Sequence, residues 1–203
     1  MNYLAHIYLA RQSADAQFGA LLGDFLKPGQ DQHLSLETQL EIRLHRKIDS
    51  FTDQHPLNFE ARSLFADGRR RYAGIVLDVF YDHVLAKHWQ QWTSIVFDDF
   101  VDDFYRDLLA RSQWFPESLQ YAAPRMAQQD WIRAYQSIQG IELTIHRMSG
   151  RLSRNAHLLR DCLIDLEQHY DQLTSYFFEF FPQLEAYVSA ERRHLQAAMA
   201  ANL

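Results

Sequence analysis

The spacing of the apolar residues constrains the fold of this chain more than any other feature. Between recognisable breaks, apolar side chains recur every three or four positions rather than every second one, which is the period of amphipathic helices. Glycine and proline are scarce, with seven and five copies, and breaks are predicted at 27–30, 55–56, 67–68, 115–116 and 123–124. The pattern predicts an all-α fold, a single-domain helical bundle.

The predicted helices cover most of the chain: 2–12, 15–26, 35–54, 57–66, 70–91, 97–112, 116–122, 125–139, 140–149, and one or two between 153 and 200. With 203 residues, of which 47% are hydrophobic, the chain can bury one substantial core, so we expect one domain over 1–203. No run of about 18 apolar residues and no signal-peptide pattern occurs, so we expect a soluble, cytoplasmic protein without a membrane anchor.

Charge and cysteine content exclude some classes of function. A net charge of −6 argues against general affinity for nucleic acid, because phosphate backbones are held by positive surfaces. The single cysteine, Cys162, excludes an internal disulfide and is expected to fill the core. Basic residues are nevertheless clustered, and two clusters are predicted to contact an anionic substrate or partner: Arg46 with Lys47, and Arg70 with Arg71. An ordinary solvated helix face remains the alternative for both.

The segment "HRKIDSFTDQH", residues 45–55, concentrates titratable side chains on one predicted helix. Leu44 and Ile48 belong to an apolar stripe, whereas His45 and Asp49 lie together on another side of the helix. Because these two residues are four positions apart, they can approach one point, as a shared metal ion or a proton-transfer pair requires. A simple surface contact is the alternative.

A second segment, "GIVLDVFYDHVLAKHW" at 74–89, is apolar around most of its circumference and predicts a buried central helix. Asp78 and Asp82 lie on one stripe of it, where two carboxylates would repel each other unless a proton or a cation lay between them. Either a divalent cation or arginine and lysine side chains from another helix would balance these carboxylates, and both interpretations stay open. Asp24, beside Gly23 in an apolar segment, and His6 are further candidates.

Mixed carboxylate and imidazole ligands on helices suit Mn²⁺, Fe²⁺ or Mg²⁺ better than a structural zinc, which usually recruits cysteine. The combination points towards metal-assisted hydrolysis of a phosphate ester.

Five segments in register, "MNYLAHIYLA", "GALLGDFLK", "LHRKIDSFTD", "LDVFYDHVLAKHW" and "LEQHYDQL" followed by "FFEFFPQL", resemble the acyl carrier protein phosphodiesterase family. The resemblance implies an enzyme linked to fatty acid biosynthesis that removes 4′-phosphopantetheine from holo-acyl carrier protein, giving the apo form. It also implies a divalent metal, typically Mn²⁺, and a fold distantly related to the helical HD phosphohydrolases. Carried over by position, it implies functional importance for His6, Asp24, His45, Asp49, Asp53, Asp78, Asp82 and His83.

The chain contains no His-Asp dipeptide, so the usual HD ligand set does not transfer directly. The predicted metal ligands are Asp24, Asp78 and Asp82 first, then His6 and His45. Catalytic roles are predicted for Asp24, His45, Asp49 and His83, with Asp49 orienting His45 and either His83 or His88 protonating the leaving oxygen. Two other functions stay open: an HD-like phosphohydrolase of a nucleotide such as guanosine tetraphosphate, and a non-catalytic helical module whose carboxylates pair with arginines.

Overall fold

Helices dominate the fold, as the apolar spacing predicts. The computed structural model describes residues 2–201, and within that range it contains eleven α-helices and no strand. The α-helices are α1 Tyr3–Leu9, α2 Ala14–Leu22, α3 Leu36–Gln54, α4 Pro56–Ser63, α5 Ala73–Lys87, α6 Phe97–Ala110, α7 Glu117–Gln128, α8 Trp131–Ala134, α9 Ile138–Ser149, α10 Ala156–Gln168 and α11 Tyr170–Ala200. The all-α prediction is confirmed.

Two predicted boundaries are wrong. The expected break at 123–124 does not occur, because α7 continues through the exposed Pro124 to Gln128 and the chain turns instead where Asp130 adopts a left-handed conformation with φ of 49°. The predicted helix over 70–91 is divided, since 3₁₀ turns at Arg70–Tyr72 and Trp89–Gln91 flank α5. A proline removes one backbone donor but can be accommodated within a helix that other contacts hold in place.

Helix α5 lies at the centre of the core. Its residues from Val79 to Ala86 are all buried, and it contacts α1, α4, α9, α10 and α11. One contiguous apolar cluster extends from Leu4 on α1 to Val188 on α11 and includes the buried Cys162. The predictions of a buried central helix and of a core cysteine are therefore confirmed. Among residues 2–201, no helix is both long enough and apolar enough to cross a bilayer.

Two glycines four positions apart let α2 and α3 approach closely. A Cβ at Gly19 would lie 2.5 Å from the Thr38 carbonyl oxygen, and one at Gly23 would lie 2.2 Å from Cγ of His45. Real Cβ atoms do not come that close, so only glycine fits at either position without a shift of its neighbours. This close packing brings the imidazole of His45 against the backbone of α2.

Helix α1 is capped by a residue distant in sequence. The side chain of Asn2 makes no capping hydrogen bond; instead, the fully buried carboxylate of Asp82 on α5 accepts from the backbone N–H groups of Leu4, at 2.7 Å, and Ala5, at 3.1 Å. The first N–H groups of a helix need such acceptors, and a negative charge there interacts favourably with the helix dipole. Asp82 thereby fixes the start of the helix that carries Tyr3 and His6.

Candidate active site

The His6–His45–Asp49 cluster is formed where α1 meets α3. Asp49 joins the two histidines: Nε2 of His6 lies 3.1 Å from Oδ1, and Nε2 of His45 lies 3.2 Å from Oδ2. The imidazole rings stack with centroids 3.8 Å apart and an interplanar angle of 18°. One donor atom from each of the three residues lies within 4.8 Å of the others, which is close enough for the three to share one metal ion.

A backbone carbonyl orients His45. The last turn of α2 tightens, so the N–H of Asp24 donates to Leu21 rather than to Ala20, and the Ala20 carbonyl instead accepts from Nδ1 of His45 at 2.7 Å. With its proton held on Nδ1, the ring directs Nε2 towards Asp49 and towards Oδ1 of Asp24, 3.4 Å away. The unprotonated form of Nε2 would face only carboxylate oxygens.

The protonation preferences of the cluster reflect this surplus of negative charge. Against burial, which lowers it, the carboxylates of Asp24 and Asp49 raise the pKa of His45 to about 9. Burial and the neighbouring His45 lower the pKa of His6 to about 4. Despite burial, hydrogen bonds from both histidines hold the pKa of Asp49 well below its usual range. The cluster therefore favours one positive charge between its carboxylates and keeps His6 neutral.

Asp24 connects the cluster with an open cavity of about 500 Å³. The Asp24 side chain is 44% exposed, whereas that of His45 is 3% exposed. The buried histidine therefore contacts a carboxylate that is itself open to solvent. Tyr3, Asp78, Met148 and Arg151 also line this cavity. A concave space that has a few converging polar groups beside residues of perturbed pKa is the usual form of an active site.

The structure does not bring Asp82 and His83 into the cluster. Both oxygens of Asp82 accept backbone hydrogen bonds from α1, so within residues 2–201 this carboxylate is paired with backbone N–H groups rather than with basic side chains. Burial raises the pKa of Asp82 to about 7, against these two donors, which lower it. His83 contacts the Tyr135 carbonyl through Nδ1 and the Tyr170 hydroxyl through Nε2, at 2.7 and 2.8 Å. Their predicted ligand and catalytic roles stay predictions.

The remaining implicated acids and histidines lie apart from the cluster. Asp78 lines the cavity on the α5 side, and the exposed Asp53 is ion-paired with Arg62. His88 is half-buried beside Gln91, with Nδ1 and the amide nitrogen 3.3 Å apart.

The predicted substrate-binding bases all have local partners. Arg46 donates to the Leu26 carbonyl at 3.1 Å, and Lys47 pairs with Glu191 at 2.8 Å. Arg70 pairs with Asp67 at 3.2 Å, while the Arg71 guanidinium lies 4.8 Å from the ring centroid of Tyr72. Because Arg70 and Arg71 are both exposed, these contacts leave their predicted binding of a partner open.

Comparison with known proteins identifies the family to which this chain belongs. The family described as acyl carrier protein phosphodiesterase matches residues 1–184. The chain belongs to the acyl carrier protein phosphodiesterase family. Proteins of that name from Pectobacterium atrosepticum, Escherichia coli and Photorhabdus laumondii are 34%, 32% and 30% identical to it. These alignments cover 91%, 93% and 91% of this chain and 95%, 98% and 93% of the respective relatives.

No solved structure matches the chain, so the distant relation to HD phosphohydrolases stays a prediction.

Sequence reasoning did not assign several residues that shape the site. Tyr3 and Met148 contribute apolar surface beside Asp24, and Arg151 contributes a cation. The only sequence signal for Arg151 is its place in a basic run from Arg147 to Arg160. The Ala20 carbonyl that orients His45 leaves no side-chain signal at all.

Proposed function

We propose that this enzyme hydrolyses the phosphodiester bond joining 4′-phosphopantetheine to holo-acyl carrier protein, with a divalent cation held by His6, His45 and Asp49. The observation that carries the proposal is the convergence of two imidazoles and a carboxylate at the edge of a cavity, in a chain of this family. The names of the relatives support the carrier protein as substrate. A cytoplasmic location is part of the same proposal.

The residues present suit a cation. With Nδ1–H of His45 held by Ala20, the Nε2 lone pair faces Asp49 and Asp24, a repulsive arrangement unless a proton or a metal ion lies between them. Imidazoles favour transition metals and carboxylates favour hard cations, so the mixed set fits Mn²⁺ or Fe²⁺ better than Mg²⁺. Such an ion, when bound, polarises a phosphoryl oxygen and lowers the pKa of its water.

The side chains divide the remaining work. Asp49 orients both imidazoles through its two oxygens, and Ala20 fixes the tautomer of His45. Asp24 is partly exposed on the cavity and takes the proton of the attacking water. Arg151, on the cavity wall, offsets the charge of the phosphate.

Water is the only co-reactant that the hydrolysis needs. The water oxygen forms a bond to phosphorus, and the bond between phosphorus and the serine oxygen of the carrier breaks. The proton that Asp24 accepts is returned to the departing serine oxygen, which leaves apo-carrier protein and 4′-phosphopantetheine.

The test is hydrolysis of holo-acyl carrier protein by purified enzyme that has been stripped with a chelator and reloaded with Mn²⁺, Fe²⁺ or Mg²⁺. Intact mass spectrometry should show conversion to apo-carrier protein with Mn²⁺, and no conversion in the stripped enzyme. A guanosine tetraphosphate assay run in parallel tests the nucleotide alternative. The proposal is contradicted if none of the three metals supports conversion of the carrier, or if the stripped enzyme keeps full activity.

A further inference from the structure

A second, smaller cavity adjoins the one beside Asp24. It encloses about 50 Å³, and Trp131, Tyr135, Thr144 and Arg147 line its far side. Both cavities are bounded by Asn2, Tyr3, Met148 and Arg151, so they share a wall. Together they form a path that begins at Asp24, beside the His6–His45–Asp49 cluster, and ends at Trp131. We call this path the Tyr3 channel.

The lining of the channel is apolar, with polar groups at intervals. The rings of Tyr3 and Trp131 stack with centroids 6.4 Å apart, and Met148 adds an adaptable apolar side chain. The hydroxyl of Tyr3 makes no hydrogen bond to any residue between 2 and 201, and burial raises its pKa to about 12, so it remains a neutral donor.

Positive charge lies along the same channel. Arg147 and Arg151 are exposed, four positions apart at the end of α9, and neither makes an ion pair within residues 2–201. Arg133, by contrast, is paired with Asp98 and Asp102. A guanidinium that has no carboxylate partner and faces a cavity is suited to a phosphate or a carbonyl oxygen of a ligand.

We propose that the Tyr3 channel binds the pantetheine arm of the carrier protein, with the phosphate at the Asp24 end and the thiol end towards Trp131. The arm alternates methylene groups with amides, which matches apolar walls interrupted by a hydroxyl and two guanidinium groups. This inference rests on the proposed function, because hydrolysis at Asp24 requires the phosphate to lie there. Tyr3, Met148 and Arg151 then determine specificity for the arm.

The test compares two phosphodiesters that differ in the arm. Holo-acyl carrier protein carries it, whereas bis(4-nitrophenyl) phosphate does not. In Met148→Trp, which narrows the channel, KM for holo-carrier protein should rise about tenfold, and kcat/KM should fall several-fold more for holo-carrier protein than for the small diester. Arg125→Gln is the matched control for Arg151→Gln, because Arg125 is also exposed and makes no ion pair within residues 2–201 but lies on α7, outside the channel.

Calorimetric titration of pantetheine into metal-free enzyme provides a measurement that does not depend on catalysis. Wild type and Arg125→Gln should bind pantetheine, and Met148→Trp and Arg151→Gln should bind it at least about fivefold more weakly. Arg151 is exposed, so its variant is expected to fold, which thermal unfolding will verify.

Two results would overturn the channel proposal. One is equal affinity for pantetheine in all four proteins, and the other is an equal fall in kcat/KM on both phosphodiesters in Met148→Trp. Binding of adenosine monophosphate but not of pantetheine by the wild type would also overturn it. Failure of the proposed function has a different signature: wild-type enzyme would leave holo-carrier protein intact under every metal, whatever the titration shows.

Discussion

Two groups of histidine and aspartate lie in or beside the core, and they differ in how their polar atoms are used. In the α5 group, both oxygens of Asp82 accept backbone N–H groups and both nitrogens of His83 contact oxygen atoms. In the His6–His45–Asp49 cluster, Nε2 of each histidine faces an oxygen of the same carboxylate, that of Asp49. Nδ1 of the buried His6 has no partner among residues 2–201.

The difference separates a structural role from a catalytic one. Buried polar groups in a stable core are normally satisfied, so the α5 group has the character of a scaffold. The cluster gathers two imidazoles and two carboxylates, leaves His6 Nδ1 without a partner among residues 2–201, and meets a cavity through Asp24. Unsatisfied or strongly perturbed groups of this kind occur mainly at functional sites.

The largest expected effect is that of Asp49→Asn, because Asp49 contacts both histidines. Asp49 is one of the three proposed ligands and also contacts both imidazoles, so its loss should exceed the 10- to 100-fold cost of removing an outer contact; we expect kcat/KM to fall by more than about 100-fold and Mn²⁺ affinity to fall with it. Steady-state kinetics and calorimetric metal titration measure the two quantities. Asp103→Asn is the control, since Asp103 is exposed and, within residues 2–201, pairs with Arg106 alone. Unchanged metal affinity in Asp49→Asn would mean that the cation lies elsewhere.

Gly23→Ala should have the next largest effect, because the added Cβ would overlap the His45 ring. We expect a loss of activity of about 10- to 100-fold through displacement of the imidazole, and a loss of stability of about 1–3 kcal/mol from overpacking. Gly74→Ala controls for the added methyl group, since the atoms nearest to its Cβ would be those of the Arg62 guanidinium, at an ordinary contact distance of 3.8 Å. Equal kinetics for the two variants would show that the position of the His45 ring does not limit catalysis.

Asp82→Asn tests whether Asp82 acts as an anchor of α1 or as a ligand. The amide keeps one acceptor but directs an NH₂ group at a backbone N–H, so we expect destabilisation of about 1–3 kcal/mol at pH 6, judged by urea unfolding. Activity should fall by less than about tenfold, through movement of His6, and metal affinity should change little. Loss of metal binding with normal stability would restore the predicted ligand role.

The difference in stability between wild type and Asp82→Asn should depend on pH. The folded pKa of Asp82, about 7, lies above the unfolded value of about 3.9, so the protonated form is favoured in the fold. Its contribution to stability is fully present below about pH 4 and is lost as the pH rises through 7. The stability advantage of wild type over Asp82→Asn should therefore narrow between pH 5 and 8. An advantage that grows over this range would contradict the raised pKa.

The parts of the molecule that follow from local periodicity were predictable from the sequence. The buried helix α5 and the pairing of His45 with Asp49 both depend on neighbours within four positions, and both are found. The end of α7 was not predictable from Pro124, because tertiary contacts decide whether a helix accommodates a proline.

The division of labour among the buried acids was not predictable either. Asp82 accepts from backbone groups 78 and 77 positions away, and Asp49 meets His6 across 43 positions. An aspartate on an apolar stripe looks the same in sequence whether its partner is a backbone N–H group or a cation. Only the packing of α1 against α5, and the contact of His6 on α1 with Asp49 on α3, distinguish the two cases.

The smallest expected effect is that of His83→Gln, although the sequence predicted His83 as a catalytic acid. Burial lowers the pKa of His83, and its ring joins the Tyr135 carbonyl to the Tyr170 hydroxyl. We therefore expect kcat/KM to stay within about twofold of wild type and stability to fall by about 1–2 kcal/mol. Tyr170→Phe removes the same hydrogen bond from the other side, so the double variant should be less destabilised than the sum of the singles. A drop in kcat of about 100-fold or more, with additive stabilities, would instead make His83 a proton donor and α5 part of the active site.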